Sequence, residues 1–214
     1  MTWFAQNAKT DWIDAINHLR GTSPRMAEVI DHVGPCTLAP RRDYFVVLCE
    51  AIFNQQVSMA AGRTIFGRFR DHFPSRRPTP RVLLELVAKD AEILRRAGAS
   101  RQKSRYLIDL ADHFESGKIP TRRLASMEDE QVIEALTEVN GIGRWTAEMF
   151  LMFVLNRPDV LPVDDIGLRK GMQMFFKLRR PPLAKHMFKL ADPWRPWRTV
   201  ATWYIWRGFD LLNK

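Results

Sequence analysis

Cysteine is scarce in this chain of 214 residues: Cys36 and Cys49 are the only two, and each stands alone. That excludes a disulfide framework, a four-cysteine zinc site and a four-cysteine iron–sulfur cluster, and it suits a reducing compartment. Long apolar runs are lacking as well. The longest, Met149 to Leu155, has seven residues, against the ~20 that a membrane-spanning helix needs. No charged, then apolar, then small-residue leader opens the chain, so no secretory signal is expected. Acid is short relative to base: 24 Asp+Glu against 33 Lys+Arg leave a net charge of +9. With 46% hydrophobic and 27% charged residues, the composition is that of an ordinary folded protein. The basic excess favours a polyanionic partner. Nucleic acid is preferred to membrane, because no long basic amphipathic helix is present.

Clean period-two alternation is also missing, and the dominant period is helical. In Tyr44–Phe53 the residues Phe45, Leu48, Cys49, Ile52 and Phe53 follow i, i+3, i+4, i+7, i+8 spacing. Arg101–Gly117 repeats the pattern with Leu107, Leu110, Ala111 and Phe114; Ser100 is its candidate cap, and Gly117 with Pro120 closes it. Ser126–Val139 carries Val132, Ile133, Leu136 and Val139 on one side, with Ser126 and Asp129 in the spacing of a capping signal. Gly/Pro breaks divide the chain into about ten helices on short connections, as in an all-α domain. Arginines gather at those breaks: Arg76, Arg77 and Arg81; Arg179 and Arg180; Arg195 and Arg198. Such loops can follow a phosphate backbone or be plainly solvated.

Two segments carry chemistry. In Val139-Asn-Gly-Ile-Gly-Arg-Trp-Thr-Ala147 one helix runs into Gly141 and Gly143 and a second begins at once. Glycines permit positive φ and close backbone approach, and the new helix opens with unpaired N–H groups at the positive end of its dipole. The turn can hold phosphate oxygens without reading sequence, with Ile142 as its anchor in the core. Without a ligand the same residues read as a glycine C-cap and a tight interhelical turn. Some twenty residues on, Leu161-Pro-Val-Asp164-Asp165-Ile-Gly-Leu-Arg169 places two acids before a helical stretch. One of them reads as an N-cap. An ionised carboxylate at a helix start also stabilises a developing cation.

Together these segments resemble the helix-hairpin-helix DNA glycosylase superfamily, and within it the 3-methyladenine DNA glycosylase II (AlkA-like) branch. Trp194-Arg-Pro-Trp-Arg198, Trp203-Tyr-Ile-Trp206 and Ile52-Phe-Asn-Gln-Gln-Val-Ser58 match as well, so the likeness runs from about Asp43 to Asp210. It implies an all-α, two-lobed fold with a cleft for DNA between the lobes. The expectation is one compact helical domain over 1–214, without an N-terminal β domain, and a helix-hairpin-helix at about 128–155. Base excision is implied: an alkylated purine such as 3-methyladenine is flipped out and its N-glycosidic bond hydrolysed.

The resemblance assigns roles residue by residue. The catalytic aspartate maps onto Asp165, leaving Asp164 as the cap or structural acid. Trp145 and Trp206 match pocket aromatics that stack on the flipped base, although core packing explains Trp206 as well. Met149 and Ile166 stand where some relatives have tyrosines. Gln55 and Gln56 fall at the wedge that fills the emptied base stack, with Gln56 the plug. Gly141, Gly143, Arg144 and Thr146 of the hairpin, and Ser100 with Lys103, fall at DNA-backbone contacts. Trp194 and Trp197 read as packing around prolines. Lyase-competent relatives carry a lysine where this chain has Trp145, so the enzyme is expected to be monofunctional and to leave an abasic site. No cofactor is required by this chemistry. The carbonyls of Thr137, Val139 and Ile142 match positions at which relatives bind a monovalent cation, Na+ or K+. The expected partner is double-stranded damaged DNA and not a membrane, with the protein a monomer, cytoplasmic in a prokaryote or nuclear in a eukaryote. The rival readings are a non-catalytic hairpin module that only binds DNA, and a glycosylase for other damaged bases.

Overall fold

In a computed structural model, which describes residues 11–213, thirteen α-helices and three short 3-10 turns form the secondary structure of the described residues. The all-α expectation holds. The chain divides into two compact units, Arg41–Phe150 and residues 11–40 with 151–213. No helix among the described residues is long and apolar enough to cross a membrane.

The first unit contains α3 (Tyr44–Asn54), α4 (Met59–Asp71), α5 (Pro80–Lys89), α6 (Ile93–Arg96), α7 (Arg101–Glu115), α8 (Asp129–Thr137) and the start of α9 (Arg144–Phe153). The apolar stripe read in Tyr44–Phe53 becomes the buried face of α3, and α7 packs against it. Phe53, Phe66, Phe69 and Phe73 form a chain of rings with centroids 4.8 to 6.1 Å apart. Burying one such ring contributes roughly 2–3 kcal/mol. Ser100 caps α7 as its spacing suggested, accepting from Lys103 N at 3.1 Å. The start of α8 differs from the expectation. Ser126 closes a 3-10 turn, and the cap is a box between Glu128 and Gln131, whose Oε1 accepts from Glu128 N at 3.1 Å. A Ser-x-x-Asp spacing marked the neighbourhood of the cap but not the residue, because Gln131 reaches back further than Asp129.

The second unit contains α1 (Ile13–Thr22), α2 (Pro24–Val33), the remainder of α9, α10 (Ile166–Phe175), α11 (Ala184–Leu190), α12 (Arg198–Arg207) and α13 (Phe209–Leu212). Helix α12 runs through its centre: every residue from Arg198 to Ile205 is buried, and α1, α2, α10 and α13 all pack on it. A helix buried all round needs its polar groups matched internally. Arg198 Nε donates to Asp159 Oδ1 at 2.6 Å, and Nη2 donates to Asp159 Oδ2 at 3.0 Å and to the Asp159 carbonyl at 2.9 Å. Thr199 Oγ1 accepts from Val160 N at 2.9 Å. The N-terminal end of α12 therefore staples the loop that leads toward Asp165. This corrects the reading of Arg198 as a loop arginine following phosphate: it is buried and committed to Asp159. Arg195 Nη1 also reaches Asp159, at 3.0 Å. Trp194 packs as expected, stacked on Phe176 at 5.7 Å.

Candidate functional site

In the second unit the centre of interest is Asp165. It is only 4% exposed. Its Oδ1 accepts from Leu168 N at 2.5 Å and from Trp206 Nε1 at 3.1 Å. The first bond makes Asp165 the N-cap of α10. The expectation that Asp164 would be the cap is therefore corrected: Asp164 is exposed, and one residue combines the capping position with the catalytic assignment. Trp206 comes from the last turn of α12, half-buried, with its ring stacked on Phe153 at a 5.9 Å centroid distance and 23° between planes. Gly167 keeps this approach open. A Cβ there would lie 3.1 Å from Asp165 Oδ1 and 3.5 Å from Trp206 Nε1. Ile166, next to Asp165, is 80% exposed and offers a bare apolar surface.

In the first unit the hairpin joins α8 to α9 through residues 138–143. Gly141 has φ +86°, and a Cβ on it would overlap the Tyr106 ring, so both conformation and packing require glycine. Gly143 differs. Its φ is not positive, it is exposed, and nothing lies within 4 Å of a Cβ built on it. Nothing inside the protein demands glycine there. Ile142 is 4% exposed and anchors the turn as expected. Asp109 of α7 pins the hairpin, its Oδ2 accepting from Asn140 N at 2.7 Å and Asn140 Nδ2 at 2.8 Å.

The loop after α3 is tied to the same hairpin. Gln55 Nε2 donates to the Gly141 carbonyl at 2.7 Å. Lys103 Nζ donates to the carbonyls of Phe53 and Gln55, each at 2.7 Å, and burial pulls its ammonium below the ordinary lysine value. Between these braces Gln56 sits exposed in the left-handed region, φ +56°. That conformation costs a residue with a side chain roughly 1–2 kcal/mol. Strain of this kind persists only where neighbours enforce it.

These distances revise several sequence assignments. Gln56 projects into solvent, as a wedge must, whereas Gln55 is a brace between loop and hairpin. Lys103 and Ser100 serve as caps, of the end of α3 and the start of α7, and Ser100 does so at the exposed surface. Arg144 donates to Glu130 through Nη1 at 2.9 Å and Nη2 at 2.5 Å, and through Nε to Glu148 at 3.2 Å. The Glu130 hydrogen bond above all raises its pKa. It braces α8 against α9 while staying half exposed. Thr146 is buried at 6% exposure and Met149 at 0%, because α9 is buried on all sides from Thr146 onward. Trp145, at 37% exposure, lies in the exposed first turn of α9. Long-range partners such as Asp109, Gln55 and Lys103 were missed as positioning groups because no local spacing marks a bond between residues 31 to 86 positions apart.

An all-helical chain that carries a glycine hairpin in one unit and a buried capping aspartate in the other defines a class, and similarity to known proteins specifies it. Residues 49–196 match the HhH-GPD superfamily base excision DNA repair protein family. The chain belongs to that superfamily, as the motifs implied. It is 32% identical to the Schizosaccharomyces pombe alkylbase DNA glycosidase-like protein mag2 over 96% of this chain and 97% of that one. It is 34% identical to DNA-3-methyladenine glycosylase 1 of the same yeast, over 92% and 87%. Among solved structures, the S. pombe 3-methyladenine DNA glycosylase Mag1 in complex with abasic DNA superposes with a TM-score of 0.79, at 34% identity over 91% of this chain and 95% of that one.

Proposed function

We propose that this protein is a monofunctional DNA glycosylase that releases alkylated purines such as 3-methyladenine from double-stranded damaged DNA and leaves an abasic site. The observation that carries the reading is Asp165: a buried carboxylate fixed by Leu168 N and Trp206 Nε1. Cleavage of the N-glycosidic bond leaves positive charge on the sugar. An oriented carboxylate in a dry environment stabilises that charge without reorganising during the reaction. Water then takes the place of the base. A methylated purine departs as a neutral base because it is already cationic, so no general acid is needed. Residue 145 is tryptophan, which cannot form the Schiff base of a lyase.

The binding half of the reading rests on Gly143. Internal packing leaves its missing side chain unexplained, and close approach of a phosphate explains it. Gln56 is the wedge that takes the vacated place in the base stack, and Trp145 supplies an exposed π face for a cationic purine. The protein acts as a monomer and needs no cofactor. A Na+ or K+ ion fits the hairpin through the carbonyls of Thr137, Val139 and Ile142, since a helix C-terminus and its turn offer carbonyl oxygens that lack intrahelical partners. The ion would add positive charge beside the bound phosphate.

A second reading, binding without excision, is favoured by the cap itself, because the same two donors would hold Asp165 in a protein that does no chemistry. A gel assay on a duplex with one alkylated purine separates the two. Base release followed by heat-induced strand cleavage supports the glycosylase, binding alone supports the module, and immediate strand cleavage overturns the monofunctional assignment.

A further inference from the structure

The first unit holds a concentration of positive charge that neither the hairpin nor the wedge loop uses. A cavity of about 400 Å³ is lined by Arg42, Arg70, Arg76 and Arg77, with Ser75 and Val46. It lies at the N-terminal end of α3, whereas Gln55 and Gln56 follow the C-terminal end. The eleven residues between, at 1.5 Å each, separate the two places by roughly 16 Å.

Little inside the protein balances this charge. Arg76 pairs with Asp71. Arg70 uses Nε on the Arg76 carbonyl at 2.8 Å and lies over the Phe66 ring, but has no carboxylate partner. Among the described residues, Arg42 and Arg77 make no side-chain hydrogen bond or salt bridge. The one acid in the lining, Asp43, is taken by Arg41, whose Nε and Nη2 donate to it at 3.1 and 2.8 Å. Asp43 is also the N-cap residue of α3, yet its side chain makes no capping bond, so that helix start keeps its positive end uncapped.

The backbone adds a second, independent mark. Ser75 and Arg76 are consecutive non-glycine residues in the left-handed region, at φ +52° and +55°. Each costs roughly 1–2 kcal/mol, and the segment Pro74-Ser-Arg-Arg-Pro78 contains no glycine to relieve it. The strained turn places Arg76 and Arg77 in the lining. The strained turn gives Arg76 an internal partner in Asp71 but gives Arg77 none of comparable closeness, which points to a ligand outside the chain.

We propose that this cavity is an anion site for phosphate groups, engaged by the planar forks of Arg42, Arg70 and Arg77. The phosphate comes either from a free phosphorylated molecule or from a nucleic-acid backbone. The site does not depend on the excision reading. Inorganic pyrophosphate is the probe, titrated by calorimetry into wild type, Arg42→Gln/Arg77→Gln and Arg42→Lys/Arg77→Lys. One-to-one binding is expected, at least tenfold weaker in the glutamine variant and partly kept in the lysine one. The melting temperature of the unliganded glutamine variant should stay close to wild type, because neither arginine makes a side-chain hydrogen bond or salt bridge among the described residues and only the attraction of Arg77 for Asp43 is lost. An undamaged duplex then separates the sources. With a backbone phosphate, the glutamine variant lowers the slope of log K against log salt by about 1–2, at ~0.9 per phosphate. With a free ligand, the slope is unchanged. Absence of pyrophosphate binding, or equal binding by wild type and the glutamine variant, overturns the proposal.

Discussion

Replacing Lys103 by methionine tests how the proposed wedge, Gln56, is held. Its ammonium bonds two carbonyls at the end of α3, Phe53 and Gln55, each at 2.7 Å. A hydrogen bond to a charged group contributes ~1.5–3 kcal/mol. The site is only partly buried, so water can re-solvate the carbonyls, and a total loss of ~1–3 kcal/mol is the reasonable expectation. For a chain of this size that lowers Tm by roughly 2–10 °C. The same substitution removes one brace from Gln56, whose left-handed conformation is unfavourable by ~1–2 kcal/mol on its own. Once the loop relaxes, single-turnover excision should fall by about tenfold, since ~1.4 kcal/mol corresponds to a factor of ten. Thermal melting, single-turnover excision and DNA binding across a salt series are measured together. If Lys103 acts internally, the slope of log K against log salt stays as in wild type. If it touches a phosphate, the slope drops by ~0.9 while melting is unaffected. That second pattern would refute the brace.

Gly143→Val should leave Tm within about 1 °C of wild type, since its Cβ meets only open space, yet weaken binding to all duplex sequences alike; loss confined to one sequence context would contradict the phosphate contact. Arg198→Met should destabilise the fold by ~1.5–3 kcal/mol, because the buried end of α12 loses its charged hydrogen bonds to Asp159, which keeps only Arg195 as an ion-pair partner; a denaturant midpoint near wild type would remove its stapling role. Trp206→Phe keeps the stack on Phe153 but removes the donor to Asp165, so kcat should drop by roughly tenfold or more with KM little changed, the signature of an interaction made in the transition state. Asp165→Asn should slow excision at least ~100-fold while damaged-DNA binding survives, and Asp164→Asn should stay within about twofold of wild type.

Much of what depends on local spacing was legible in the sequence, although the caps of α8 and α10 were each assigned to a neighbouring residue. The stripes of α3 and α7, the Ser100 cap and the anchoring Ile142 follow from period and turn chemistry. What spacing does not encode is which distant group completes a turn. Gln55 looked like a wedge residue because it adjoins the proposed wedge Gln56, but its amide spans 86 positions to the Gly141 carbonyl. Lys103 and Arg144 looked like phosphate ligands because they are basic and lie beside helix starts. Each turned out to satisfy groups of the protein, two carbonyls in one case and two glutamates in the other. Basic residues near a binding surface are ambiguous for a physical reason: the exposed helix ends that attract phosphate also need internal donors and acceptors. The burial of Met149 and Thr146 was not legible either: α9 is buried on all sides from Thr146 onward, and spacing gives no warning of that.

The capping position of Asp165 decides which substitution can be interpreted. An alanine there would delete the bond to Leu168 N and cost the start of α10 about 1 kcal/mol, so lost activity could come from a displaced helix. Asparagine is as good an N-cap as aspartate, and its amide oxygen can accept from both Leu168 N and Trp206 Nε1. Geometry is kept and only the negative charge is removed. If the carboxylate works by stabilising a cationic sugar, the asparagine variant must lose rate with no loss of Tm, and the loss must be in kcat. If Asp165 were a cap and nothing more, asparagine would be silent in both measurements. A stable variant with near-normal single-turnover excision would therefore move the chemistry away from Asp165 altogether, and no repacking of α10 would be available to excuse the result.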